Sequence, residues 1–220
     1  ADFSKFVSVG NSLTSGFSDN ALFIEGQVNS FPNLMAQKFS AVGSSGFSTP
    51  FMADNKGGFN SNGMQLPIFG TRLFFNGSAP QHVPGISGTS IADKLTGQFN
   101  NMGVPGAKSF HLLSTSYGNP IGLVNGTANP YFVRFASTTS ASILMDAVAQ
   151  NPTFFSLWIG NNDVLSYATT GGIGVNQVNN PDVTTYGGND ITSPVAFAII
   201  YNNIVNGLTT NGAQGVIANI

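Results

Sequence analysis

The stretch FSKFVSVGNSLTSG, Phe3 to Gly16, decides how the chain reads. A short apolar run ends at Gly10, a small polar turn follows, and a helical pattern comes after it, which is the grammar of a strand feeding a helix. Similar strand-like runs recur at FNNMGV (99–104), TFFSLWIG (153–160) and GVIANI (215–220), each close to Gly or Asn. Helical patterns separate them. Ser30 precedes Phe31, Leu34, Met35 and Phe39 at helical spacing, and Ser140 similarly precedes Ile143, Leu144, Ala147 and Val148. In the strongest pattern Ser193 caps, Pro194 occupies the first turn, Ile199, Ile200, Ile204, Val205 and Leu208 form a stripe, and Gly212 stops the helix. Strands alternating with helices of this length predict an α/β fold with a doubly wound, mainly parallel sheet, in one domain over 1–220.

Two segments interrupt the alternation, 41–98 and 165–192, both rich in Gly and Asn. Each exceeds the about 12–15 residues usual for a structureless connection. They are small hairpins of their own or loops that wall a site; since each adjoins a candidate motif, walls are the expectation. The run GVIANI follows the strongest helix directly, and a parallel strand there is normally covered by another helix, so the domain is expected to continue beyond Ile220.

Composition narrows the function. Of 220 residues only 7% are charged, and seven Lys+Arg against nine Asp+Glu leave a formal charge of −2, which excludes the basic footprint of a nucleic-acid binder. Cysteine is absent, so disulfides, zinc thiolates, iron–sulfur clusters and cysteine nucleophiles are excluded. No run approaches the about 18 apolar residues of a transmembrane segment. The low charge, the wealth of Asn, Ser, Thr and Gly, and a start at Ala1 favour an exported protein. The 19 Phe and the lone Trp158 are expected in the core.

Three strand ends carry groups with chemistry. In GNSLTSG, Gly10 to Gly16, a serine on the turn after a strand is projected at the carboxyl edge of the sheet, where α/β proteins bind ligands. Gly10 permits the turn, and the Ser12 N–H faces the same mouth as its hydroxyl. The motif is not a GxSxG elbow, because Thr14 stands where the second glycine would be; read alone it is equally a plain turn or cap. In GNND, Gly160 to Asp163, Asn162 offers an N–H to developing negative charge, or closes the strand in an Asx-turn with Asp163 capping the next segment. In NNMGVPGAKS (100–109), a glycine N–H is another oxyanion donor or a helix start.

Taken in order, these pieces resemble the SGNH (GDSL-type) serine hydrolases, whose blocks are GDSL-T-x-G after the first strand, a glycine block after the second and GxND after a later one. The resemblance spans about 6–40 and 98–165. It implies a flavodoxin-like three-layer α/β/α fold and the cleavage of carboxylic esters, whether of small molecules, lipids or glycans, through an acyl-serine. It makes Ser12 the nucleophile, the N–H groups of Ser12 and Gly106 the backbone oxyanion donors, with Gly103 the alternative glycine, and Asn162 the side-chain donor. No cofactor and no metal are called for, and Asp19, Asp54, Asp182 and Asp190 lack the spacing of a calcium loop. The chain departs from the family at Asn11, where the acronym has Asp, and at Lys108, where a small hydroxyl residue is common.

The larger departure concerns the base. The family's D-x-x-H block does not occur after Asn162, and the only histidines are His82, in the loop PQHVPG, and His111, which reads as a satisfied, partly buried side chain. Neither has a carboxylate three residues earlier. A serine hydroxyl needs a neighbouring base, so the catalytic His and Asp are expected beyond Ile220. Glu25, the only glutamate, reads as a solvated carboxylate. The main alternative is a surface module that binds carbohydrate or polymer on the same scaffold without a base. An outer-membrane barrel or adhesin is a third reading, opposed by the helical stripes at 140–150 and 193–208.

Overall fold

The structure is a computed structural model that describes residues 1–219. Along the chain run β1 (Phe6–Gly10), α1 (Ser12–Ser15), α2 (Ile24–Val28), α3 (Phe31–Ser40), a hairpin of β2 (Asn60–Ser61) and β3 (Met64–Gln65), and a second of β4 (Leu73–Phe75) and β5 (Pro80–His82). They are followed by β6 (Asn101–Gly103), α4 (Pro130–Val133), α5 (Ile143–Val148), β7 (Phe154–Trp158), α6 (Asn161–Thr169), α7 (Pro194–Thr209) and β8 (Gln214–Ala218).

Four strands form one sheet in the order β6-β1-β7-β8, and all three pairings are parallel. Every residue of β1 is buried, as a strand with a neighbour on each side and a layer on each face requires. Alternation sends its side chains both ways. Phe6 joins Phe154 and Ala36 of α3 in an aromatic cluster where Phe39 stacks on Phe3 at 4.2 Å. Val7 and Val9 belong to the larger core with Ile143 of α5 and Ile200, Ile204 and Leu208 of α7. The sheet is therefore flanked by helices on both faces. Ser8 is the polar exception, satisfied by a 2.6 Å hydrogen bond to Ser156, its register partner on β7.

The four expected strands are present, with β6 reduced to three residues; Ile220 of the last run lies outside the described residues. The helix caps differ from expectation. Ser142, not Ser140, caps α5, accepting from Met145 N–H at 3.1 Å. Ser30 and Ser193 occupy cap positions without capping: the Ser30 hydroxyl accepts from Asn33 Nδ2 at 3.0 Å, and that of Ser193 donates to Val178 O at 3.2 Å. Ile199 is 55% exposed, because the buried stripe of α7 is Ala196, Ile200, Ile204 and Leu208, spaced by four. Trp158 is only half-buried, against Phe31. Segment 41–98 contains the two hairpins, and the first residues of 165–192 complete α6. No helix among the described residues is long and apolar enough to cross a membrane.

The end of β6 lies directly against α1. A Cβ at Gly103 would overlap the backbone N of Ser15, and two backbones cannot separate without opening the sheet. Gly103→Ala is expected to cost about 3 kcal/mol, whereas Gly188→Ala, with nothing within 4 Å of the added methyl, should stay within about 0.5 kcal/mol of wild type. Denaturant unfolding of both variants checks this.

Candidate active site

At the end of β1 the chain must turn sharply while α1 folds back over the strand. A Cβ on Gly10 would overlap Thr14 Oγ1 and the Trp158 carbonyl, so only glycine fits. The next residue, Asn11, is fully buried. Its Oδ1 accepts from Leu13 N–H at 3.1 Å, capping α1, and its Nδ2 donates to Asn161 Oδ1 at 3.1 Å. Both ends of the Asn11 amide thus find a partner: a carboxylate here could cap α1 but has no N–H for the Asn161 oxygen as it is oriented. The bond ties the turn after β1 to the turn after β7.

Ser12 opens α1 and is partly exposed. Its carbonyl accepts from Ser15 Oγ at 2.9 Å and from Phe17 N–H. Asn11 caps Leu13 N–H and leaves that of Ser12 uncapped, one of the first-turn donors that a helix cannot satisfy itself. Gly160, at a φ of 121°, turns β7 into α6. Asn162 then faces inward, 8% exposed, and donates through Nδ2 to Ala107 O at 2.8 Å. That bond uses one of its two amide hydrogens.

The glycine alternatives separate on their amides. Gly103 N–H donates to the Asn101 side chain at 3.0 Å and is buried. Gly106 is exposed, holds a φ of 81°, and its N–H meets no protein acceptor among the described residues. It immediately precedes Ala107, whose carbonyl Asn162 holds.

Two positioning contacts were not read from the sequence. Asp163 is 2% exposed, and its carboxylate accepts from Ser109 N–H at 2.8 Å and Ser109 Oγ at 2.7 Å, rather than capping. Burial raises its pKa above the ordinary carboxylate value, opposed by the Ser109 bonds and the Lys108 charge. Lys108, also buried, donates to Asp190 O at 2.8 Å, and burial lowers its pKa. The Asp190 carboxylate in turn accepts from Val175 N–H, Gln177 Nε2 and Gly187 N–H, so Lys108 fastens the 165–192 segment to the glycine block. The signal in the sequence was present only as the Asp of GNND and the unusual Lys108.

Between the ends of β1 and β7, where the strand order reverses, lies an open cavity of about 590 Å³. Ser12, Asn161 and Asn162 are its polar lining; Leu13, Val164, Leu165 and Ala168 are its apolar lining. Gly106 is not among the lining residues and adjoins them through Ala107. No residue of 41–98 lines the cavity, and 165–192 contributes only Leu165 and Ala168, both in α6. The expectation that these segments wall the site fails because 41–98 is held elsewhere, against Asp19, Gln27, Asn100, Asn101 and Arg134, and the irregular part of 165–192 is pinned to Lys108.

Neither histidine lines this cavity. His82 sits exposed on β5 with Nδ1 against Thr71 O. His111 stacks on Tyr117 at 4.2 Å, and its Nδ1 accepts from Lys108 N–H at 3.0 Å, which places its proton on Nε2. Burial, with the nearby Lys108 charge, lowers its pKa to about 4. Because the folded value lies below the unfolded one, its stabilising contribution is complete above the ordinary histidine value of 6.5 and is lost as pH falls through about 4. His111→Gln keeps a neutral acceptor for Lys108 N–H, so its melting temperature should fall less than that of wild type between pH 6.5 and 4, a difference scanning calorimetry resolves. Comparison of the chain with protein-family models, curated proteins and solved structures finds no match.

Proposed function

We propose that this chain carries the nucleophile and oxyanion donors of an SGNH-type carboxylic-ester hydrolase working through an acyl-serine intermediate. The observation that carries the reading is that Ser12 and Asn162, 150 residues apart in sequence as the family pattern orders them, line one cavity at the β1/β7 switch point. Gly106, whose N–H meets no protein acceptor among the described residues, immediately precedes Ala107, whose carbonyl Asn162 holds.

In this mechanism a base takes the Ser12 hydroxyl proton as Oγ attacks the ester carbonyl carbon. The oxyanion is received by Ser12 N–H, Gly106 N–H and the second N–H of the Asn162 amide, donors fixed in place before charge develops. Collapse breaks the bond to the alcohol, which leaves with the proton from the base. Water then repeats the sequence and frees the acid. With His82 and His111 both engaged elsewhere, the imidazole and its carboxylate are proposed to come from outside residues 1–220. Substrates are esters of small molecules, lipids or glycans, met outside the cytoplasm.

The engagement of both imidazoles also favours a second reading, a carbohydrate- or polymer-binding module without a base. The two separate on covalent chemistry. A fluorophosphonate probe should label the intact protein and not Ser12→Ala; an unlabelled wild type rejects the hydrolase. Asn162→Ala should lower turnover about 10²–10³-fold, with its unfolding midpoint measured alongside because the Ala107 bond is lost too. Turnover equal to wild type removes Asn162 from the mechanism.

A further inference from the structure

Helix α6 is built inside out. A surface helix of a globular protein ordinarily turns its apolar stripe to the core, but here the buried residues are Asn162 and Asp163, while Val164 is 44% and Leu165 51% exposed. The cause lies in two polar contacts: Ala107 O holds Asn162, and Ser109 holds the Asp163 carboxylate. With those two side chains drawn inward, positions 161, 164, 165 and 168, which share one helical face, are turned to the cavity. Leu13, 42% exposed, extends this apolar surface from the residue next to Ser12.

We propose that the outer face of α6, with Leu13, is the subsite for an aliphatic acyl chain whose ester carbonyl sits at Ser12. The assignment rests on the hydrolase reading. Three observations select this occupant. The apolar face is continuous with Ser12 and Asn162 in a single cavity, so a chain attached to the reacting carbonyl reaches it without a break. No lining residue is ionisable, so nothing there recognises a charged group. The cavity, about 590 Å³, has the size of a small-ligand site. From Asn161 to Ala168 the helix rises about 10 Å, a path that takes an extended chain of about eight C–C bonds, each of about 1.5 Å and advancing about 1.3 Å along the zigzag.

The test measures kcat/KM of the intact protein for p-nitrophenyl esters from acetyl to dodecanoyl, each below its aggregation concentration. The octanoyl-to-acetyl ratio should exceed about tenfold and fall about tenfold in Leu165→Ser and in Val164→Ser. Val195→Ser, an exposed apolar position on α7 outside the cavity, should leave the ratio unmoved. Hydrolysis with a flat chain-length profile, or a ratio that Leu165→Ser and Val164→Ser do not move, overturns the subsite and leaves the hydrolase standing. Absence of both ester turnover and fluorophosphonate labelling overturns the two together. If the same substitutions instead lower the sedimentation mass, the face is covered by a second copy of the chain and the assignment is wrong.

Discussion

Everything in this molecule is arranged around the burial of β1. A parallel strand with partners on both edges and a layer on each face tolerates few polar side chains, and β1 contains one, Ser8, whose hydroxyl is absorbed by Ser156. The same crowding persists at its end, where Gly10 has no room for a Cβ and Gly103 on the neighbouring strand has none either. Because the strands are parallel, the turns that follow β1, β6 and β7 emerge at one edge of the sheet. Strand direction therefore brings Ser12, Gly106 and Asn162 to that edge.

The edge is then fixed by polar contacts of side chains rather than by hydrophobic packing. Asn11 joins the first turn to the third, Asn162 joins the third to the second through Ala107 O, and Asp163 joins it again through Ser109. Burying the Asp163 carboxylate opposes its ionisation, and only specific donors offset that cost. A network of this kind holds geometry because each buried group has one satisfactory arrangement. It also inverts α6, which connects the placement of the amide donors to the exposure of Val164 and Leu165.

The long 165–192 segment contributes differently from the 41–98 segment. Asp190 gathers Val175, Gln177 and Gly187 and offers its carbonyl to Lys108. Lys108, read from the sequence only as a departure from a family pattern, is thereby the tie between that segment and the glycine block. The 41–98 segment, two short hairpins joined by irregular chain, is tied to the rest of the molecule by backbone bonds such as Leu73 N–H to Asp19 O, Leu95 N–H to Arg134 O, and Asn100 and Asn101 N–H to Ser48 O, and it stays off the cavity.

The alternation of strands and helices, all four sheet strands and three principal helices are legible in the chain's own residues, because their signals are local: apolar periodicity and turn residues act over a few positions. The resemblance to a family pattern, in turn, points to Ser12, to Gly106 or Gly103, and to Asn162. The same reading misplaces the cap of α5 and turns Ile199 inward, since Ser140 and Ser142 both fit a cap and one residue moves a side chain by about 100° around a helix. Which polar groups are spent and which stay free is a matter for the folded chain alone. Gly103 and Gly106 look alike in sequence, yet Asn101 takes one amide and leaves the other open. Likewise the exposure of Val164 and Leu165 is set by the contacts of Asn162 and Asp163 to Ala107 and Ser109, more than 50 residues away in sequence. Such choices depend on distant partners, and local propensity carries no record of them.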